Sequence, residues 1–421
     1  MKEYASLSKE ELKNEYENLN KEYEELVSMN LALDMSRGKP EPGQLDLAKD
    51  MLSVLDANTE FVCNGQDARN YGGLDGLASA KELFAEMLRT SVDHVFVGGA
   101  SSLNLMFDTI SRAYMFGIMG ETPWSKLEKV KFLCPAPGYD RHFAVTERFG
   151  FENVLVPMKA DGPDMDVVEE LVKDPAVKGI WCVPKYSNPE GVVYSDEVVK
   201  RFASLKPAAK DFRIFWDNAY MVHHLYEKIE ILNIIDECEK AGNPDMYYEF
   251  CSFSKISFAG AGIAAMATSP ANLADAKKTI TVQTIGADKV NMLRHVLYFK
   301  NAAGVDAHME KHAAMLRPKF EMVDRVLSEG LEGLGAGTWA KPKGGYFVTF
   351  YANDNCAKRI IELCKKAGVV MTGAGAPFPY GKDPKDSVIR ISPSYPTIEE
   401  LEKAVKVFVT CVKLATVENL M

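Results

Sequence analysis

The sequence predicts an α/β protein: a large domain with a mostly parallel sheet sandwiched by helices, plus a smaller α+β domain built from the N- and C-terminal segments. Three observations predict it. A chain of 421 residues exceeds one ordinary core, so about two domains are expected. Between Val95 and Lys255, near-continuous apolar runs alternate with helical patterns, as in parallel strands buried on both faces. From about residue 286 the texture changes to long helical patterns broken by short strands. The expected division is 1–60 as the N-terminal segment of the small domain, 61–300 as the large domain and 301–421 as the rest of the small one.

Composition narrows the class. Hydrophobic content of 47% and charged content of 26% are those of a soluble globular protein. A net charge of −10 argues against a nucleic-acid surface. The eight cysteines are scattered without a CxxC pair, so reduced thiols in a cytoplasmic protein are expected rather than disulfides or zinc. Acidic helical sequence follows Met1 with no secretory pattern, and no apolar run reaches membrane-spanning length.

Ser8 and Glu11 form a capping box opening a helix with Leu12, Tyr16, Leu19, Tyr23 and Leu26 on one face. The Gly/Pro-rich loop Asp34 to Gly43 follows, then the turn Asn70-Tyr71-Gly72-Gly73. Val95-Phe96-Val97 reads as a strand entering Gly98-Gly99-Ala100-Ser101-Ser102 and a helix to Phe116. Glycines and hydroxyls at a helix N-terminus suit an anion, through free N–H groups and the helix dipole, although an ordinary N-cap has the same residues. Strands at Val130 to Cys134, Val154 to Val156, Ile180 to Val183 and Arg213 to Trp216 alternate with helices at Met165 to Val172 and Asp196 to Leu205. The run Tyr247 to Phe253 is a buried strand ending at Ser254-Lys255. Helices through Val296 and over Met315 to Leu331, strands near Tyr346 to Phe350, Val369 to Met371 and Val388 to Ser392, and a last helix Glu399 to Leu414 complete the chain.

Ligands of such sheets bind beyond the carboxyl ends of the strands, and the polar clusters at Ser101, Tyr139, Asn188, Asp217 and Lys255 all fall there. A lysine at the end of a buried strand loses hydration, which favours the neutral, nucleophilic amine. Ser252 and Ser254 beside it can hold an anion. A buried Asp217 can keep a pyridine nitrogen protonated, Asn188 and Tyr220 can hydrogen-bond a ring oxygen, and Tyr139 can stack on the ring face. Taken together these residues define a site for pyridoxal phosphate held as a Schiff base on Lys255.

The motifs carry a family resemblance. Asn188-Pro189-Glu190-Gly191, Asp217-Asn218-Ala219-Tyr220, Ser252-Phe253-Ser254-Lys255 and Arg390-Ile391-Ser392, in that order, resemble those of class I aminotransferases of pyridoxal phosphate fold type I. Ser36 to Pro40 and Gln283-Thr284-Ile285-Gly286 are most similar to a divergent subgroup of aspartate aminotransferases. The resemblance implies that Lys255 bonds the cofactor and shuttles the substrate α-proton. It implies Asp217 on the pyridinium, Asn188 and Tyr220 on the ring oxygen, and Tyr139 on the ring face. Arg390 would grip the substrate α-carboxylate and the Gly38 backbone would approach the substrate. Ala100, Ser101 and Ser252 would bind phosphate, with Tyr71 reaching over from the second subunit of a homodimer.

One departure stands out. The family's phosphate-binding arginine, a few residues after the lysine, is replaced by Gly262 within Ala259 to Ile263, and Ser102, Ser254 and Ser257 are the substitutes in view. The expected reaction is transamination between aspartate and 2-oxoglutarate. A second cation must then read the distal carboxylate, with Arg37 favoured over Arg141. The alternatives are a lyase or decarboxylase on the same scaffold, an aminotransferase for neutral or aromatic amino acids and, last, a non-catalytic sensor domain. The loose dinucleotide pattern Gly260 to Ala265 follows a lysine late in the sheet, which argues against a dehydrogenase. His223-His224 and His308/His312 lack a third ligand, so no metal site is expected and solvated helix faces are expected instead.

Overall fold

In the computed structural model, which describes residues 2–421, the large domain is organised on one eight-stranded sheet. Its order is Val95–Val97, Ala264–Thr268, Tyr247–Ser252, Arg213–Asp217, Val177–Cys182, Lys131–Ala136, Glu152–Lys159 and Gly162–Pro163. The five strands from Tyr247–Ser252 to Glu152–Lys159 pair in parallel. Ala264–Thr268 runs antiparallel to both its neighbours, and Gly162–Pro163 forms an antiparallel edge. The sheet is therefore mixed with a parallel centre.

The apolar runs have a direct cause. Ile180, Ile214, Trp216 and Tyr247 point into one core while Trp181, Phe215, Tyr248 and Phe250 point into another on the opposite face. Both side-chain sets along each strand are thus buried, which removes any polar alternation. Burying each of these is worth about 1.5–3 kcal/mol, and truncating one, Ile180→Ala for instance, would cost about 2–5 kcal/mol.

The two chain ends share a third core. Ser8 Oγ accepts from the Glu11 N–H (3.2 Å) and Glu11 Oε2 accepts from the Ser8 N–H (2.7 Å), starting helix Lys9–Ser28. That helix buries Leu12, Leu19 and Tyr23 in the cluster formed by Leu316, Phe320, Phe350 and Phe408. Leu33–Asp34 then pairs in parallel with Val369–Val370, tying the N-terminal segment to the C-terminal one. Gly337–Trp339, Val348–Ala352 and Val388–Ile391 make a three-stranded sheet whose last strand presents Arg390. Helix Ala302–Leu331 buries Val305 and Met309 in the large-domain core and Leu316 onward in the small one.

The histidine pairs differ from expectation. His308 and His312 are buried, because their helix is packed on both cores and their i, i+4 face points inward. His308 Nε2 lies 2.9 Å from the Ile256 carbonyl, His312 Nε2 3.1 Å from His308 Nε2, and His312 Nδ1 3.1 Å from Gln44 Nε2. Burial pushes His312 down to about 4. His223 and His224 follow the turn after Tyr220 rather than lying on a helix, with His224 bridged to Gly344, and His223 is buried. Among the described residues no three potential metal ligands cluster, and no helix is long and apolar enough to cross a membrane.

Candidate active site

The strand Tyr247–Ser252 delivers Lys255 at its carboxyl end, where the chain turns: the Ile256 N–H bonds the Phe253 carbonyl and the Phe253 N–H bonds the Ile263 carbonyl. Lys255 Nζ stands 4.8 Å from the centroid of the Tyr220 ring. Tyr346 Oη donates to the Lys255 carbonyl at 3.4 Å. The lysine is therefore fixed at its backbone with its amine over an aromatic face.

On the neighbouring strand, Asp217 shares the face of Phe215 and is 2% exposed. His142 Nε2 lies 2.9 Å from its Oδ2. An ionised carboxylate only accepts, so Nε2 carries the proton. The imidazole is itself stacked on Trp181 at 4.6 Å and 12°. Asp217 Oδ1 is buried with no partner, an acceptor left open.

Tyr139 caps helix Asp140–Arg148 and makes an edge contact with His142 at 4.9 Å. Burial raises its phenol to about 12, partly offset by the Lys255 charge. Tyr220 is buried and its phenol is raised for the same reason, so both hydroxyls keep their protons at neutral pH. Asn188, ahead of a cis proline, accepts from Arg390 Nη1 at 3.3 Å. Arg390 also donates to Thr372 Oγ1 (3.1 Å) and the Ser36 carbonyl (3.4 Å), packs 4.7 Å from the Phe347 ring, and leaves a buried Nε without a partner. Its nearest paired carboxylate, Asp140, is at 3.6 Å. Lys255, Asp217, Tyr220, Tyr139, Asn188 and Arg390 thus share one region between the domains.

The residues expected to bind phosphate lie where Gly98 leaves its strand. Ser101 is the N-cap of helix Ser102–Phe116, accepting from the Asn104 N–H at 3.4 Å and donating to Asn104 Oδ1 at 2.8 Å. Ser254 Oγ donates to the Ala100 carbonyl at 3.2 Å and Ser252 Oγ lies 3.2 Å from Ser254 Oγ. Ser102 is buried in the first turn. Ser257 is not available as a phosphate ligand: it is fully buried, bonded to the Phe253 carbonyl and to His295 Nε2 at 2.8 Å. Its turn geometry points it into the core behind the lysine. Tyr71 is 83% exposed on a turn packed against Gly286, where an added Cβ would sit 2.8 Å from the Gly72 carbonyl.

The loop at residues 36–39 of the N-terminal segment approaches from the other side. The Ser392 N–H bonds the Met35 carbonyl, and Ser394 Oγ donates to the Lys39 carbonyl at 3.0 Å, so Ser36 to Lys39 lies along the Arg390 strand. Gly38 is required there: a Cβ would fall 2.2 Å from Phe347 Cζ. Arg37 is largely exposed and pairs with Asp34 at 3.6 Å, and Arg141 is exposed on its helix.

Comparison with known proteins places this geometry. Residues 7–421 match the family model described as aspartate amino-transferase. The chain is 47% identical over 406 residues to an aspartate aminotransferase of Corynebacterium glutamicum, covering 96% of this chain and 94% of that one. The chain belongs to the aspartate aminotransferase family. An aspartate transaminase crystal structure from C. glutamicum superposes with a TM-score of 0.98 at 46% identity, covering 100% of this chain and 99% of that one. The α-aminoadipate aminotransferase LysN of Thermus thermophilus, in complex with N-(5'-phosphopyridoxyl)-L-leucine, shares the fold at a TM-score of 0.74 and 19% identity, covering 93% of this chain and 94% of that one.

As a member of the aspartate aminotransferase family, the protein is an enzyme of the aminotransferase class. Three residues of its site escape sequence reasoning. His142 follows Tyr139 by three positions, one helical turn, which was a usable signal for a side chain on the same inward face. Thr372 and Phe347, which hold Arg390, carry no local signal at all.

Proposed function

We propose that the protein binds pyridoxal 5'-phosphate at Lys255 and transfers an amino group between aspartate and 2-oxoglutarate, working as a homodimer. The observation that carries the cofactor reading is the buried, partnerless Oδ1 of Asp217, on the strand beside the one that delivers Lys255. A protonated pyridine nitrogen satisfies that acceptor, and an ionised partner makes the bond charge-assisted. When bound, the cofactor supplies an electron sink for the pair left at the substrate Cα.

The chain's own residues do the rest. His142 aims Asp217 by donating to Oδ2, which leaves Oδ1 for the ring nitrogen. Asn188 and Tyr220 offer an amide N–H and a phenolic O–H to the ring oxygen. Tyr139 covers one ring face and excludes water from it. Lys255 Nζ would hold the cofactor and, as a free amine, would move the proton at the substrate Cα. Ala100, Ser101, Ser102, Ser252 and Ser254 form the phosphate end.

Arg390 serves the α-carboxylate: its guanidinium holds neutral hydrogen-bond partners, a long 3.6 Å contact to Asp140 and an open Nε, so a carboxylate replaces weak contacts with a two-point one. For the distal carboxylate we favour Arg37, whose loop touches Arg390 through the Ser36 carbonyl, over Arg141. Its present partner Asp34 is partly exposed and weakly held at 3.6 Å, so exchange for a substrate carboxylate costs little. The homodimer reading is supported by Tyr71, Val282 and Ile285, large apolar side chains that stay exposed in the single chain.

The test is a panel of L-amino acids added to the cofactor-loaded protein, with conversion to pyridoxamine phosphate followed by absorbance. Aspartate and glutamate should convert fastest. Conversion by neutral donors alone, or release of carbon dioxide from aspartate, would overturn the proposed reaction.

A further inference from the structure

Gly262 stands where the family's phosphate arginine is expected, and the backbone around it leaves only tight room for a side chain. A Cβ on Gly262 would lie 3.0 Å from the Ala100 carbonyl and 3.2 Å from the Ser254 amide nitrogen. The loop is pressed against the helix N-terminus that forms the anion end. A compensating cation must therefore come from elsewhere in the fold.

One guanidinium approaches from a different element. Arg294, on helix Lys289–Phe299, donates from Nη2 to the Ala261 carbonyl at 3.3 Å and to Asn291 Oδ1 at 2.5 Å. Asn291 in turn donates from Nδ2 to the Ala261 and Gly262 carbonyls, both at 3.1 Å. These contacts set the helix directly behind the glycine loop. Among the described residues Arg294 forms no ion pair, and its Nε is buried without a partner.

Arg294 also faces open space. A cavity of about 540 Å3 is lined by Gly99, Ala100, Gly260, Gly262, Asn291 and Arg294. Gly99 and Ala100 belong to the turn that opens helix Ser102–Phe116, whose free N–H groups and dipole favour an anion. Asp288 lies on the same wall, but its Oδ1 is engaged at 3.0 Å by the Asn291 N–H as the N-cap of the Arg294 helix. An incompletely satisfied cation and the turn that leads into a helix N-terminus thus border one cavity, and their shared preference is for a phosphate.

We propose that Arg294 replaces the missing loop arginine as the cationic ligand of the cofactor phosphate. The inference rests on the cofactor reading above and goes beyond it by assigning the charge that the glycine loop lacks. The arginine has moved from the loop after the lysine to the helix that braces it. Gly260 and Gly262 suit this solution, because they keep side-chain bulk off the backbone that the guanidinium reaches over.

The test compares two aldehydes that Lys255 can capture, pyridoxal 5'-phosphate and pyridoxal. Each is titrated into apoprotein of the wild type, Arg294→Met and Arg294→Lys, and binding is read from the absorbance of the lysine-bound cofactor. Arg294→Met should weaken pyridoxal 5'-phosphate by on the order of tenfold to a hundredfold, the scale of a lost charged pair, and leave pyridoxal within about threefold. Arg294→Lys should recover part of the loss, since it keeps the charge but not the fork. Equal weakening of both aldehydes would mean that Arg294 only braces the loop, and unchanged phosphate-dependent binding would mean that it does not reach the phosphate. Either result overturns the inference and leaves the cofactor reading intact. Capture of neither aldehyde by the wild type would bring down that reading, and this inference with it.

Discussion

His142 Nε2 and Asp217 Oδ2 are 2.9 Å apart, and both side chains are buried to within a few per cent of full. The pair leaves one carboxylate oxygen committed and the other open, so His142 is a positioning residue for Asp217. His142→Ala should lower kcat by about tenfold to a hundredfold, the range for a buried hydrogen bond to a charged group, with the KM for aspartate little changed. His142→Gln, which keeps a donor, should recover part of it. A raised KM with unchanged kcat in steady-state assays would count against this role.

The specificity reading concerns Arg37 and Arg141. Replacing the arginine that reads the distal carboxylate by leucine should cut kcat/KM for aspartate by on the order of a hundredfold, the scale of a lost charged pair, and spare alanine. The amino-acid panel run on both variants checks this. Equal losses for acidic and neutral donors in both would mean that neither arginine reads the side chain.

Shared sites in a homodimer predict complementation. Lys255→Ala and Tyr71→Ala protomers, mixed and reassociated, should form hybrids with one intact site each, giving activity up to about a quarter of wild type from random pairing. Activity no higher than the mean of the two parents would mean that each site is built from a single chain.

Glu249, on the strand leading to Lys255, is buried with Asn218 Nδ2 at 2.8 Å, and burial raises it from 4.5 to about 7. The folded protein therefore binds this proton more tightly than the unfolded chain. Its contribution is fully present below about pH 4.5 and is lost as pH rises through about 7, a span worth on the order of 3 kcal/mol. Glu249→Gln should raise the melting temperature relative to wild type at pH 8 and much less at pH 5. A difference independent of pH would contradict the assignment.

Much of this was legible in the sequence for a physical reason. Strands such as Arg213–Asp217 announce themselves because both faces are buried, and the polar residues that break the apolar runs must sit at their ends. Asp217, Asn188 and Lys255 were readable in that way. What was not readable depends on contacts between distant segments. His142 meets Asp217 across 75 positions, and Arg294 reaches the glycine loop from a helix about one-tenth of the chain away. The burial of His308 and His312 follows from packing against two cores, which their own i, i+4 spacing cannot reveal.

The central claim is that Lys255 is the amine that holds the cofactor. Reduction of the cofactor-loaded protein with borohydride, followed by peptide mapping, tests it most directly. The account predicts a single phosphopyridoxyl label on Lys255 and none in the Lys255→Ala variant. A label on another lysine, or no label after incubation with pyridoxal 5'-phosphate, would contradict it.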